Sequence, residues 1–167
     1  MFADFTIRDA SLDDLPAIVN IYNSTISGRM VTADLEPVTV ESRLQWFHEH
    51  SSSFRPLWVV IDQGVICAWL SFQSFYGRPA YNGTAEISIY IHPDYRGKKL
   101  GKYLIQLAID ACPGLNIKTL LGFIFAHNVP SVKLFSTFGF EKWAHLPNIA
   151  ELDGIERDLL IMGKRVS

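Results

Sequence analysis

Only two cysteines, Cys67 and Cys112, occur among 167 residues, and each lies inside an apolar segment. So few, so placed, they leave no disulfide framework and fit free thiols in a reducing compartment, with the cytoplasm as the expected location. No stretch of about 18 apolar residues occurs, and Met1-Phe2-Ala3-Asp4-Phe5 has no basic start followed by an apolar run. Neither a membrane span nor a secretory leader is expected. The net charge is only −2, which argues against a general nucleic-acid or membrane-surface role and for a small partner. Repeats, low-complexity tracts and linkers are missing too; Ser51-Ser52-Ser53 is short enough to be a loop.

Several motifs of nucleotide and metal chemistry are also missing. Gly97 and Gly101 enclose three residues where a Walker loop needs four, and Lys102 is followed by Tyr103 rather than Ser or Thr. The dinucleotide fingerprint G-x-G-x-x-G does not occur. His48-Glu49-His50 lacks the H-E-x-x-H zinc spacing, and a helix would point its two histidines to different faces, so no metal is expected.

What is present is a globular composition, 49% hydrophobic and 13% aromatic, at a length that fits one domain over residues 1–167. Phe5 to Arg8 reads as a strand, and Ser11 with Asp14 as a capping pair for a helix whose stripe is Leu12, Leu15, Ile18, Val19 and Tyr22. Thr39 is the expected N-cap of a second helix that turns Leu44 and Phe47 to the core. Leu57 to Ile61 and Val65 to Phe72 form a hairpin around Asp62-Gln63-Gly64. Thr84 to Ile91 alternates, with Ala85, Ile87, Ile89 and Ile91 on one face and Thr84, Glu86, Ser88 and Tyr90 on the other. A helix from Leu100 to Ala111 ends at Pro113-Gly114, Lys118 to Phe125 is a strand, and Pro130 to Thr137 is a short helix. Asp153-Gly154 turns between two terminal strands. Strands and helices mix without strict alternation, which reads as an α+β domain with a largely antiparallel sheet.

The segment from Tyr90 to Lys102 carries the chemistry. It runs a β-rich stretch into a basic, glycine-containing turn that opens a helix, so backbone N–H groups and the positive end of a helix dipole converge on a small volume suited to a pyrophosphate. Arg96, Lys98, Lys99 and Lys102 add charge.

This order of elements, with Tyr95-Arg96-Gly97-Lys98-Lys99-Leu100-Gly101, then Asn128 to Phe135 and Phe138-Gly139-Phe140, resembles the GNAT acetyltransferases over most of the chain. The resemblance implies a mixed sheet whose splayed central strands form a cleft for the cosubstrate acetyl-CoA. Its pyrophosphate would meet the turn from Arg96 through Gly97, Lys98, Lys99, Leu100 and Gly101 to Lys102. Lys99 stands where the family usually has its first glycine, and it supplies the expected N–H provided the position does not need positive φ.

A closer resemblance, to the phosphinothricin and methionine sulfoximine N-acetyltransferase branch, rests on Leu35 to Val38, Arg78 to Tyr81, Thr84 to Ile91 and Asn128 to Leu134. It implies transfer of acetyl to the amine of a small amino acid or analogue, by a homodimer. Glu86 would be the general base, and backbone groups of Ile89, Tyr90 and Ile91 would hold the pantetheine arm and thioester. Asn128 and Ser131 would bind the cosubstrate further along. Arg78 and Tyr81, with Thr32 and Glu36, would receive the acceptor, a guanidinium suiting its anionic group. Phe135 occupies the place of the family's usual acid and can donate no proton, which leaves the acid unassigned. The alternatives are another amine (polyamine, aminoglycoside or protein N-terminus) and a module that binds acetyl-CoA without turnover.

Overall fold

Residues 4–167 are described by a computed structural model. Seven strands make one sheet in the order β1-β2-β3-β4-β5-β7-β6. These are β1 Phe5–Asp9, β2 Leu57–Asp62, β3 Val65–Ser74, β4 Thr84–Ile91, β5 Thr119–Phe125, β6 Glu141–Leu152 and β7 Ile155–Arg165. The helices are α1 Leu15–Asn23, α2 Leu44–His48, α3 Leu100–Ala111 and α4 Val129–Thr137. All neighbours are antiparallel except β4 and β5. That is the expected α+β architecture.

Two tight turns follow from their sequences. In the β2–β3 hairpin Gln63 and Gly64 have φ of 49° and 80°, and in the β6–β7 hairpin Asp153 and Gly154 have 54° and 79°. Paired positive φ is what a two-residue turn needs to match strand twist. At the start of α1, the Asp14 carboxylate accepts from the Ser11 N–H at 2.7 Å and from both terminal nitrogens of Arg8. These bonds hold its pKa below the ordinary carboxylate value, the Arg8 contact being the larger cause.

The two sheet faces bury different cores. On one, Leu70, Phe72, Ala85 and Ile87 pack with Leu100, Leu104, Ile105 and Ala108 of α3 and with Phe135 and Phe140. On the other, Val59 and Trp69 pack with Leu15, Ile18, Val19 and Ile21 of α1, joined by Trp46 and Phe47 of α2 and by Tyr90. Two expected core positions are corrected. Leu12 is 49% exposed, because a 3-10 turn over Leu12–Asp14 precedes the α-helix and rotates it off the stripe. Leu44 is 37% exposed, since α2 is only five residues long and turns Trp46 and Phe47 inward instead. Cys67 and Cys112 are free and fully buried, and burial raises both thiols to about 11.

Candidate active site

The site begins where the sheet opens. β4 and β5 pair only at Thr84–Thr119, Ala85–Leu120 and Glu86–Leu121. Beyond Glu86, β4 stays on β3 without a register shift, while β5 continues on β7. A cavity of about 170 Å³ fills the gap, lined by Ile87 to Ile91 on one side, Gly122 to Phe125 on the other, and Gly101, Asn128, Ser131 and Phe135. The His92 N–H donates to the Cys67 carbonyl at 2.8 Å. By the alternation of an antiparallel ladder, the backbone groups of Ile87, Ile89 and Ile91 then face the gap. Those of Tyr90 point to β3, which corrects the expectation for that residue; its side chain stacks on Trp69 on the far face of the sheet, and the residue borders the cleft as well.

The basic turn closes one end of this gap. Arg96 is extended, Gly97 has φ 74°, and Lys99, immediately before the first residue of α3, has φ 66°. Lys99 thus occupies the left-handed region, so the condition set on its N–H role is not met, because the chain must reverse direction between β4 and α3. The Lys98 ammonium lies 5.2 Å from the Tyr95 ring centroid, and Lys98, Lys99 and Lys102 are exposed. Arg96 folds back, its Nε donating to the Ile91 carbonyl at 3.2 Å. Gly101 lies where a Cβ would come within 3.3 Å of Leu134 Cδ2, so α3 and α4 approach closely there.

Asn128 caps α4 and is 8% exposed. Its Oδ1 accepts from the Ser131 N–H at 3.4 Å and its Nδ2 donates to the Met30 carbonyl at 3.1 Å, so it ties the 24–38 segment to the cleft. Phe135 is packed edge-on to Phe140 at 4.9 Å and lies over Gly122, where a Cβ would come within 2.7 Å of its ring.

A second cavity, about 190 Å³, lies on the opposite side of β3 and β4, under α1 and α2. Its floor is three cross-strand pairs: Trp69 opposite Tyr90, Ser71 opposite Ser88, and Gln73 opposite Glu86. The first pair is stacked, with ring centroids 4.6 Å apart. Ile18, Val19, Tyr22, Val38, Arg43 and Trp46 complete the walls. Arg43 donates to Asp34 at 3.0 Å and its guanidinium carbon lies 4.8 Å from the Tyr22 ring centroid. Tyr22 also bonds to Thr32 and Asp34.

The Glu86 carboxylate has no hydrogen bond or ion pair with any described residue, and burial alone raises its pKa. A structural glutamate would have a cationic partner across the sheet; this carboxylate faces the Gln73 side chain with no hydrogen bond between them. Ser88 and Tyr90 line both cavities, so the two volumes meet one pleat from the Glu86 carboxylate. Burial, more than the nearby Tyr22 and Glu86 charges, raises the Tyr90 phenol, which keeps its proton at neutral pH.

The other expected acceptor residues stand elsewhere. Arg78 and Glu36 are exposed, and Tyr81, also exposed, packs with exposed Tyr76 and half-buried Phe75; none of the three expected residues lines the Glu86 cavity. Thr32 is buried behind it, holding Tyr22 and the Asp34 N–H. Arg43, Trp46, Ser71 and Gln73 were not anticipated. Strict alternation along β3, with Ser71 and Gln73 opposite in face to Leu70 and Phe72, is the signal that could have found the last two.

Comparison with known proteins agrees with this geometry. The acetyltransferase (GNAT) family pattern matches residues 15–140. The chain is 55% identical over 163 residues to YwnH of Bacillus subtilis, a provisionally named phosphinothricin acetyltransferase, covering 97% of this chain and 99% of that one. It is 30% identical over 158 residues to the L-methionine sulfoximine/L-methionine sulfone acetyltransferase of Pseudomonas aeruginosa, covering 94% and 92% of the two. A GNAT superfamily phosphinothricin acetyltransferase from Sinorhizobium meliloti, solved in complex with AcCoA, superposes with a TM-score of 0.89 at 26% identity over 97% of this chain and 88% of that one. The chain belongs to the GNAT family and is an N-acetyltransferase whose cosubstrate is acetyl-CoA.

Proposed function

We propose that this enzyme transfers acetyl to the amine of a small amino acid or amino-acid analogue of the phosphinothricin or methionine sulfoximine type, in the cytoplasm and as a homodimer. The observation that carries the reading is the unpaired, desolvated Glu86 in a compact cavity that meets the β4–β5 cleft at Ser88 and Tyr90. The names of the relatives support the acceptor class. The exposed rings of Tyr76 and Tyr81, backed by half-buried Phe75, support a covered surface in the dimer, and sedimentation velocity tests it.

Acetyl-CoA supplies the activated acyl group. The fit to the cleft rests on the parted strands, on the exposed start of α3 with three lysines beside it, and on the outward backbone groups of Ile87, Ile89 and Ile91. The α3 N-terminus with Gly97 to Lys102 holds the pyrophosphate, and Ile89 and Ile91 pair with the extended arm and the thioester oxygen. Asn128 and Ser131 border the same arm. Glu86 removes the ammonium proton of the acceptor, directly or through a water, and its raised pKa makes it a better base than an ordinary glutamate. The amine then attacks the carbonyl, the C–S bond breaks as the amide forms, and the proton lost from nitrogen passes to the departing thiolate, directly or through water. A thiol of pKa about 8.5 departs without help from the ring of Phe135.

The test is acetyl-CoA-dependent thiol release over methionine sulfoximine, phosphinothricin, ordinary amino acids, a polyamine, an aminoglycoside and short peptides. Release confined to the amino-acid analogues supports the proposal. Release with the polyamine or a peptide alone, or none at all, overturns the acceptor class.

A further inference from the structure

Ser71 is 1% exposed, and its Oγ has no hydrogen-bond partner among the described residues. A buried unpaired hydroxyl is costly, and a folded protein rarely leaves one without a reason. Its two floor neighbours along β3 differ in kind: Trp69 gives its indole N–H to the Ile18 carbonyl at 3.1 Å and packs as core, whereas Gln73 is a half-buried amide facing Glu86. Ser71 therefore presents a free neutral donor and acceptor at the middle of the cavity floor, one strand away from Ser88 and the meeting point with the cleft.

We propose that Ser71 is a specificity residue, its Oγ hydrogen-bonding the oxo or imino tip of the acceptor's side chain. This rests on the function proposed above and names which part of the acceptor the floor reads. The amine belongs beside Glu86. The acceptor's carboxylate belongs to Arg43, the one cation among the described residues that line the cavity, which among those residues bonds a single acid, Asp34, by a single nitrogen. What remains for the floor between the Trp69–Tyr90 stack and Gln73 is the side chain. A tetrahedral sulfur or phosphorus bearing oxygen or nitrogen satisfies the Ser71 hydroxyl, and a thioether or hydrocarbon of the same length leaves it unpaired. Discrimination by an otherwise unsatisfied polar group is the stronger kind available to a pocket.

The experiment compares kcat/KM for methionine sulfoximine and methionine in the wild type, Ser71→Ala and Ser71→Thr. The expected result is that Ser71→Ala lowers the sulfoximine-to-methionine ratio about fivefold or more, mainly through KM. Ser71→Thr, which keeps the hydroxyl, restores most of the ratio, and the thermal midpoint of Ser71→Ala does not fall, since no bond in the free protein is lost. A ratio unmoved by Ser71→Ala, or a proportional loss on both acceptors, overturns the inference and leaves the proposed function standing. A wild type that acetylates neither of these nor phosphinothricin overturns both.

Discussion

Glu86 and Ser88 project from the same face of β4 one pleat apart, and Ser88 borders both cavities while Glu86 borders only one. Two residues along a strand span about 6.7 Å. A single acceptor amine can therefore be within reach of the carboxylate and of an acyl group in the β4–β5 gap. The parting of β4 from β5 immediately after Glu86 creates this relationship. The same residue is the last of β4 to pair with β5 and lines the cavity on the other side of the sheet.

The desolvated Glu86 carboxylate carries a stability cost that can be measured. Its folded pKa is raised by burial, so its contribution is fully present below the unfolded value of about 4.3 and is lost as pH rises through the folded value. Glu86→Gln is therefore expected to raise the thermal midpoint at pH 7 and to leave it close to wild type below pH 4. Calorimetry across that range checks the sign; a midpoint lowered at pH 7 would show that Glu86 has a stabilising partner.

Lys99 holds φ 66° at the mouth of α3. A left-handed backbone costs a β-carbon residue about 1–2 kcal/mol, partly offset by the extra unfolded-state freedom of glycine. Lys99→Gly is expected to stabilise the fold by about 0.5 kcal/mol in urea denaturation and, by removing one cation from the turn, to raise the KM for acetyl-CoA at low salt more than at high salt.

Gly122 and Phe135 are fitted to each other. A methyl group on Gly122 would meet the ring at 2.7 Å, and Phe140 backs that ring at 4.9 Å. Gly122→Ala should cost about 1–3 kcal/mol of stability, and adding Phe135→Leu should recover part of it. Additive losses in the double variant would contradict the contact.

Asn128 makes a cap and a strap with one side chain. Asn128→Asp keeps the acceptor for the Ser131 N–H but sets a carboxylate against the Met30 carbonyl. It is expected to raise the KM for acetyl-CoA about as much as Asn128→Ala does, while losing less stability than the roughly 1 kcal/mol of a lost cap.

Much of this was legible beforehand because the signals are local. The alternation of Thr84 to Ile91 places Glu86 opposite the apolar face, and the glycine-bearing basic turn announces the start of α3. Arg43 and Trp46 were not legible, because their role depends on how far the 24–38 segment carries α2 back over β3, a distance no periodicity encodes. Arg78 shows the converse: a cation near the central strand in sequence is solvent-exposed in space, since the β3–β4 loop leads it away from the floor. Lys99, standing in a glycine position, left open whether positive φ is needed there, and the reversal between β4 and α3 shows that it is.

The most direct test of the account is the pH dependence of acceptor-dependent thiol release by wild type and Glu86→Gln, with acetyl-CoA binding measured separately on both. The account predicts an acid limb in kcat/KM above the ordinary carboxylate range. It also predicts a loss of about 10²-fold or more in Glu86→Gln, with acetyl-CoA binding retained. Wild-type rates and an unchanged acid limb in Glu86→Gln would contradict it.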